Sequence, residues 1–410
     1  MAKVIIIGGG FAGLNCAKHM ANSNHEILLI DKTNHHLFQP LLYQVATAML
    51  SPADIAVPIR DLFRNNKNVK VIMGDVDTID KHEKKVFLKS KKSFDFDYLI
   101  IATGAKHSYF GKNEWEPHTN GLKTIEDALN IREKILIAFE KAEREKDIEK
   151  RQRHLNFVIV GGGPTGVEMA GSIADIAYKN LIKDFRNFSS TESKIYLIEA
   201  SNQILPMFSE ELSNKARQYL AGFGVIVRTN ERVTNINKNI VETTNDTIET
   251  DTIIWAAGNE ASPLLSSLDT ELDRQGRVMV NKYCAIDNNN AIFVIGDAAH
   301  FKQDEKVLPG IAPVAIQQGK YIAKLIKKNK VNSKPFFYFD KGMMATIGKS
   351  KAIAETGPIK LTGLIAWLAW SLVHLLYLVG YRTKVLVLIE WSISYIFNRN
   401  GPRLIYRNSS

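Results

Sequence analysis

Val4-Ile5-Ile6-Ile7-Gly8-Gly9-Gly10-Phe11-Ala12-Gly13 is an unbroken apolar run that ends in a glycine-rich turn and leads into a helix-forming stretch, Leu14 to Met20. A continuous run of this kind reads as a central strand of a parallel sheet, buried on both faces. The spaced glycines serve different ends. Gly8 permits the tight turn, Gly10 lets backbone touch a pyrophosphate, and Gly13 lets the helix lie against the strand. The free N–H groups and dipole of the helix start then hold the anion. Glu26-Ile27-Leu28-Leu29-Ile30-Asp31 supplies the next strand. Its terminal acid falls about twenty residues past the turn, where a ribose hydroxyl is expected.

The device recurs. Phe157-Val158-Ile159-Val160 precedes Gly161-Gly162-Gly163-Pro164-Thr165-Gly166-Val167-Glu168, and Lys194-Ile195-Tyr196-Leu197-Ile198-Glu199 is its acid-ended strand. A polar insertion over residues 179 to 193 lengthens the gap between them. A carboxylate at position 199 accepts hydrogen bonds from an adenosine 2′-OH and repels a 2′-phosphate, so NADH rather than NADPH is expected there. Residues 252 to 258 read as a further strand ending at Ala257 and Gly258, on the nicotinamide side.

Two more apolar strands end in short signatures, Tyr98-Leu99-Ile100-Ile101-Ala102-Thr103-Gly104 and Ala291-Ile292-Phe293-Val294-Ile295-Gly296-Asp297. These resemble the secondary signatures of two-dinucleotide flavoproteins. That resemblance implies FAD at the first turn, with Asp297 reaching the ribityl chain from far along the chain. The expected fold is α/β, with two Rossmann-like domains and amphipathic C-terminal helices. The FAD domain is split into residues 1–120 and 266–338, the NADH domain is residues 121–265, and a membrane-anchoring region is residues 339–410.

Bulk properties narrow the class. A chain of 410 residues exceeds one ordinary core, and 45% hydrophobic residues with a mean hydropathy of −0.12 exclude a polytopic membrane protein. A net charge of +10 favours anionic partners, but no nucleic-acid motif accompanies it. Met1-Ala2-Lys3 runs straight into the first strand, so no leader is expected and the chain is read as cytoplasmic. There are two cysteines, Cys16 and Cys284, neither in a CxxC nor among metal ligands, which suggests packed free thiols and no metal site. Disulfide reductases and sulfide:quinone oxidoreductases of this architecture use cysteines beside the flavin. Without such a pair, the acceptor is a quinone, a protein carrier or oxygen.

The stretches His36-Leu37-Phe38-Gln39-Pro40-Leu41-Leu42-Tyr43-Gln44-Val45-Ala46 and Leu308-Pro309-Gly310-Ile311-Ala312-Pro313-Val314-Ala315-Ile316-Gln317-Gln318-Gly319, with the Trp-rich C-terminus, resemble the type II NADH dehydrogenases. The resemblance implies a single-subunit NADH:quinone oxidoreductase with non-covalent FAD and no proton pumping. It also implies a homodimer, monotopic on the cytoplasmic face of a bacterial membrane. By it, FAD contacts fall on Gly8, Gly10, Phe11, Ala12, Gly13, Asp31, Lys32, Gln44, Val76, Thr103, Gly104, Asp297 and Gln317. NADH contacts fall on Gly161, Gly163, Pro164, Thr165, Gly166, Glu168, Glu199, Ala257 and Gly258. The quinone side falls on Ala312, Pro313, Gln317 and Gln318, with Pro313 standing where the family often has Gln. Gln317 contacts a quinone carbonyl, orients the flavin, or is satisfied by backbone. Glu168 positions NADH, relays a proton, or is an ordinary first-turn acid favoured by the helix dipole. A reductase of a protein carrier and a non-catalytic NADH-sensing flavoprotein remain as alternatives.

Residues 363 to 380 are almost purely apolar. Trp367, Trp370, His374, Tyr377 and Tyr381 share one side at helical spacing, while Leu364, Leu368, Leu372, Leu375 and Val379 share another. An aromatic stripe suggests a helix lying in the headgroup layer, with His374 as an interfacial polar group. A second apolar run, Val385 to Phe397, leads to Arg399, Arg403 and Arg407, whose attraction to anionic lipid is about 1 kcal/mol each. The same apolar face also suits a dimer contact.

Overall fold

The computed structural model describes residues 1–286, 289–328, 334–397 and 403–405. The chain divides into two compact units, residues 1–37, 56–106 and 259–341 in the first, and residues 38–55, 107–258 and 342–410 in the second. In chain order, the helices that carry the functional residues are α1 (Phe11–Met20), α2 (Pro164–Asp175), α3 (Ala312–Lys327), α4 (Gly363–Tyr377) and α5 (Tyr381–Phe397).

Unit one is built on a six-stranded sheet ordered Ala285–Ile286, Asn289–Val294, Tyr98–Ile101, Lys3–Ile7, Glu26–Asp31, Val69–Met73. The strands from Asn289–Val294 onward run parallel, and Ala285–Ile286 is antiparallel to its neighbour. Strand Lys3–Ile7 lies between one strand that follows it directly and another that returns from a distance, so the glycine turn sits at the point where strand order reverses. That is where an open α/β sheet leaves a ligand crevice. Strand Asn289–Val294 joins this sheet beside Tyr98–Ile101, so the split of the first domain is a real feature of the fold.

Helix α3 closes unit one by crossing α1 at a glycine. A Cβ on Gly319 would stand 2.3 Å from the Ala12 carbonyl oxygen, and one on Gly296 would stand 3.3 Å from Ala12 Cβ. The close crossing delivers the turn Gly296–Ala298, with Asp297, to the start of α1. Cys16 and Cys284 are both fully buried and unpaired, and burial pushes the Cys16 thiol up to about 12.

Unit two repeats the architecture with a parallel five-stranded sheet ordered Asn120–Gly121, Thr252–Trp255, Asn156–Val160, Lys194–Ile198, Val225–Arg228. Glu199 follows the third of the three long central strands, so the polar insertion leaves register intact. The C-terminal region differs from the sequence expectation. Its first part is an antiparallel sheet, Met343–Gly348, Lys351–Thr356 and Ile359–Thr362, and only then come α4 and α5. That sheet docks on α2 at Gly171, where a Cβ would lie 1.7 Å from the Ile347 carbonyl oxygen.

Because backbone rather than a flexible side chain lines the α1–α3 crossing, Gly319→Ala should cost about 1–3 kcal/mol through overpacking. A thermal melt of the flavin-loaded protein checks this, and an unchanged midpoint would refute the tight crossing.

Candidate active site

The first glycine turn is shaped by backbone contacts that exclude any side chain. Gly8 has φ +102°, and its Cβ would stand 2.2 Å from the Ala102 carbonyl oxygen. A Cβ on Gly13 would stand 1.9 Å from the Gly8 carbonyl oxygen. At Gly10 a Cβ would meet nothing within 4 Å, which leaves open space beside the N-terminus of α1. Asp31 is held from three sides: Gly9 N donates at 2.5 Å, Thr33 N at 2.6 Å and Thr33 Oγ1 at 2.7 Å. Phe11 and the buried Ala12 begin α1, Val76 is buried at the start of Val76–Asp80, and Lys32 is exposed. The Gly10 opening, with a buried Thr103 hydroxyl that has no protein partner just before Gly104 at φ +68°, fits a bound dinucleotide. Asp297 lies under the loop at Gly310, where a Cβ would come 3.2 Å from the carboxylate.

The second turn has the same construction. Gly161 has φ +109°, Gly163 faces open space, and a Cβ on Gly166 would stand 1.9 Å from the Gly161 carbonyl oxygen. Pro164 and Thr165 start α2, with Pro164 at a position where its fixed φ suits the helix. Glu199 accepts from Gly162 N at 2.6 Å, Ser201 N at 2.8 Å and Ser201 Oγ at 2.7 Å. Arg228, at the end of the neighbouring strand, is held by Asp246 at 3.0 Å and Glu231 at 3.2 Å. Ala257 is half-buried, and Gly258 has φ +71°, where a Cβ would stand 2.7 Å from the Phe110 ring.

On α2, Glu168 faces a buried polar cluster that sequence reading did not assemble. Burial raises its carboxyl well above the usual range, and the Thr346 backbone N–H only partly offsets this. The helix-dipole reading favours a charged acid, and burial has the opposite effect here. Tyr43 is buried beside it, its hydroxyl raised first by burial and then by Glu168. An indole N–H can only donate, so Trp391 Nε1, 2.7 Å from Gln44 Oε1, fixes the orientation of the Gln44 amide. Gln44 Nε2 then donates to the Tyr43 hydroxyl at 2.8 Å. Gln44, expected to contact FAD, thus has both ends of its amide bonded inside unit two.

The quinone-side residues lie on α3. Ala312 and Pro313 form its first turn, where a proline is pre-organised for helix initiation, which accounts for Pro313 physically. Gln318 is buried and accepts from Gly296 N at 2.7 Å. Gln317 pairs with one backbone unit: Nε2 donates to the Phe339 carbonyl at 2.9 Å and Oε1 accepts from Phe339 N at 3.0 Å. Of the three readings of Gln317, backbone satisfaction is the one its geometry displays.

The C-terminal helices divide the aromatic stripe: Tyr377 and Tyr381 are exposed, whereas Trp370 faces protein. Trp370 is buried, stacked on His374 at 4.2 Å and beside Trp391 at 5.4 Å, and Trp367 stacks on Tyr395. Aliphatic residues also face outward, among them Ile365 (67% exposed), Leu368, Leu372 and Leu376 on α4 and Leu388 and Ile396 on α5. His374 is half-buried, its ring also edge-on to Phe38 at 6.1 Å. Lys384 donates to the Leu376 carbonyl at the end of α4. Arg403 pairs with Asp184 at 2.8 Å, while Arg399 and Arg407 lie outside the described residues. No helix of the described residues is long and apolar enough to cross a membrane, and no cluster there could hold a metal ion.

Residues 2–319 match the pyridine nucleotide-disulphide oxidoreductase family, and residues 341–400 match the NDH2 C-terminal domain. The chain is 41% identical to the type II NADH:quinone oxidoreductase Ndh of Mycobacterium tuberculosis, over 98% of this chain and 90% of that protein. It is 33% identical to a probable NADH dehydrogenase of Dictyostelium discoideum, over 97% of this chain and 90% of that one. The fold is similar to that of NDH2 from Plasmodium falciparum, solved in complex with NADH, with a TM-score of 0.88 at 21% identity over 98% and 99% of the two chains.

Burial lowers His374 to about 4, against the pull of the Trp370 carbonyl. The unfolded chain therefore takes up the proton first as pH falls. Stability from the neutral ring is complete above about pH 6.5 and is lost progressively down to about pH 4. Thermal midpoints should decline through that window, and less steeply in His374→Phe. Parallel curves for the two proteins would show that His374 does not contribute.

Proposed function

This chain belongs to the pyridine nucleotide-disulphide oxidoreductase family and to its type II NADH:quinone oxidoreductases, and from that premise we propose how its residues share the work. It is an FAD-dependent NADH dehydrogenase that passes electrons from NADH to a quinone. When bound, FAD supplies a ring that accepts two electrons from NADH and yields them to the quinone. The observation that carries the nucleotide assignment is the pair of acid-ended turns, Asp31 on Gly9 and Glu199 on Gly162, held in matching geometry.

In this reading Gly8, Gly10, Phe11, Ala12, Gly13, Asp31, Thr103, Gly104 and Asp297 hold FAD in unit one. Gly161, Gly163, Pro164, Thr165, Gly166, Glu199, Ala257 and Gly258 hold NADH in unit two. Glu199 receives the adenosine 2′-OH. The nearby cation Arg228 is already matched by Asp246 and Glu231, so it does not serve a 2′-phosphate. Quinone reduction consumes two protons, and Glu168, whose carboxyl burial biases toward the protonated form, supplies one. The Thr346 N–H then stabilises the carboxylate left behind. Gln317 acts through Phe339, holding the segment after α3 in place rather than touching quinone directly.

The outward aliphatic face of α4 and α5 is the proposed membrane contact, lying in one leaflet as a peripheral attachment on the cytoplasmic face, with exposed Arg382 toward anionic headgroups. A second copy of the chain is the expected partner along the same C-terminal region.

NADH should exceed NADPH in kcat/KM by at least about tenfold, roughly 1.4 kcal/mol; equal values would refute the use of Glu199. In anaerobic stopped-flow, Glu168→Gln should retain FAD and slow quinone-dependent recovery of flavin absorbance about tenfold or more, the scale of a lost general acid. Recovery at the wild-type rate would leave Glu168 without a proton role, and absence of quinone-dependent recovery in the wild type would remove quinone as acceptor. Deleting the tail would also remove the sheet that covers α2, so the anchor is better tested with Leu368→Glu plus Leu372→Glu. That variant should no longer float with vesicles, and flotation equal to wild type would relocate the membrane contact.

A further inference from the structure

Tyr109-Phe110-Gly111-Lys112 is a tight turn closed by Lys112 N, which donates to the Tyr109 carbonyl at 2.9 Å. Both central residues have positive φ, +53° at Phe110 and +85° at Gly111. Turns of that kind favour Asn and Gly, and a side chain as bulky as Phe is strained there. Burial would offset such strain, yet Phe110 is 68% exposed, while its neighbour Tyr109 is buried against Trp255. The turn is also firmly held. Trp255 Nε1 donates to the Ser108 carbonyl at 3.0 Å, and Ser108 N donates to the Gly258 carbonyl at 3.3 Å. The Phe110 ring therefore rests at the end of strand Thr252–Trp255, 6.2 Å from the Trp255 ring and against the bare face of Gly258, with most of its surface open. An exposed ring held in a strained turn points to a ligand contact rather than to packing.

Sheet order decides which part of a dinucleotide meets that ring. Strand Asn156–Val160, which leads into the second glycine turn, lies between Lys194–Ile198 and Thr252–Trp255. Glu199, just past the first of these neighbours, is the acid for the adenosine ribose. With the diphosphate centred on the turn at Gly163, the other half of the cofactor extends the opposite way, over the end of Thr252–Trp255. Ala256 and Ala257 stand against the turn there, since a Cβ on Gly161 would come 2.8 Å from the backbone of each, and Gly258 with the Phe110 ring follows directly. We propose that Phe110 is a further NADH-binding residue, its open ring packing against the nicotinamide–ribose half of the cofactor. The contact is apolar, so it adds affinity and leaves the choice between NADH and NADPH to Glu199. This rests on the placement of NADH at the second turn.

The FAD-loaded full-length protein is compared with Phe110→Asn and Phe110→Tyr, following flavin reduction by NADH in anaerobic stopped-flow and its inhibition by ADP, which carries the adenosine half and the diphosphate alone. Phe110→Asn should raise the NADH dissociation constant about tenfold, the scale of a lost aromatic contact, and leave the ADP inhibition constant unchanged. Phe110→Tyr keeps the ring and should bind NADH as wild type does. Because Asn suits the turn better than Phe, the thermal midpoint of Phe110→Asn should hold or rise. An unchanged NADH dissociation constant, an equal loss for ADP, or a lowered midpoint would each overturn the proposal, the last by making the ring a packing group. The underlying placement of NADH fails separately: NADH and ADP affinities that both survive Gly163→Leu would show that neither ligand uses this turn.

Discussion

Each half of this enzyme depends on a short bond between a carboxylate and a glycine N–H: Asp31 on Gly9 and Glu199 on Gly162, at 2.5 and 2.6 Å. The bond ties the end of one strand to the turn after its neighbour, so the acid and the helix N-terminus become parts of one rigid frame. The second oxygen of each acid is held by a residue two positions on, Thr33 or Ser201, through both backbone and hydroxyl. A carboxylate held this way keeps one orientation before any ligand arrives, which is the physical content of pre-organisation.

Around those frames the chain uses close backbone contact as its main packing device. Glycines at 8, 13, 161, 166, 171 and 319 stand where a Cβ would lie within about 3 Å of a backbone atom, of the same turn at 13 and 166 and of another segment at the rest. The first four shape the turns themselves. The other two dock elements far apart in sequence, α3 on α1 and the C-terminal sheet on α2. Through the latter, the Thr346 N–H reaches Glu168, whose carboxyl burial raises above the usual range. Trp391 likewise carries a donor from the C-terminal helices to Gln44 and so orients Tyr43.

Strands, turns and their terminal acids were legible because their code is local: an apolar run, spaced glycines and an acid at a set distance each have a physical reason within a few residues. The split of the first domain was legible through Gly296-Asp297 and is visible as strand pairing. The sheet of residues 343–362 was missed because its short strands alternate only weakly and lie beside a far stronger apolar signal. The aromatic stripe has the expected spacing, but Trp370 on it faces protein while Tyr377 is exposed, since period alone cannot say which positions meet protein.

By itself the sequence determined two glycine-rich strand–turn–helix units, each followed by an acid-ended strand, and an apolar helical pair at the C-terminal end, because these follow from backbone sterics and residue spacing. Only the tertiary structure decided that burial raises the Glu168 carboxyl, that Gln44 belongs to a Trp391–Tyr43 cluster, that Gln317 is bound to Phe339, and that His36 keeps one nitrogen unsatisfied. Those properties depend on desolvation and on partners tens to hundreds of residues away, and neither is encoded in any local stretch of chain.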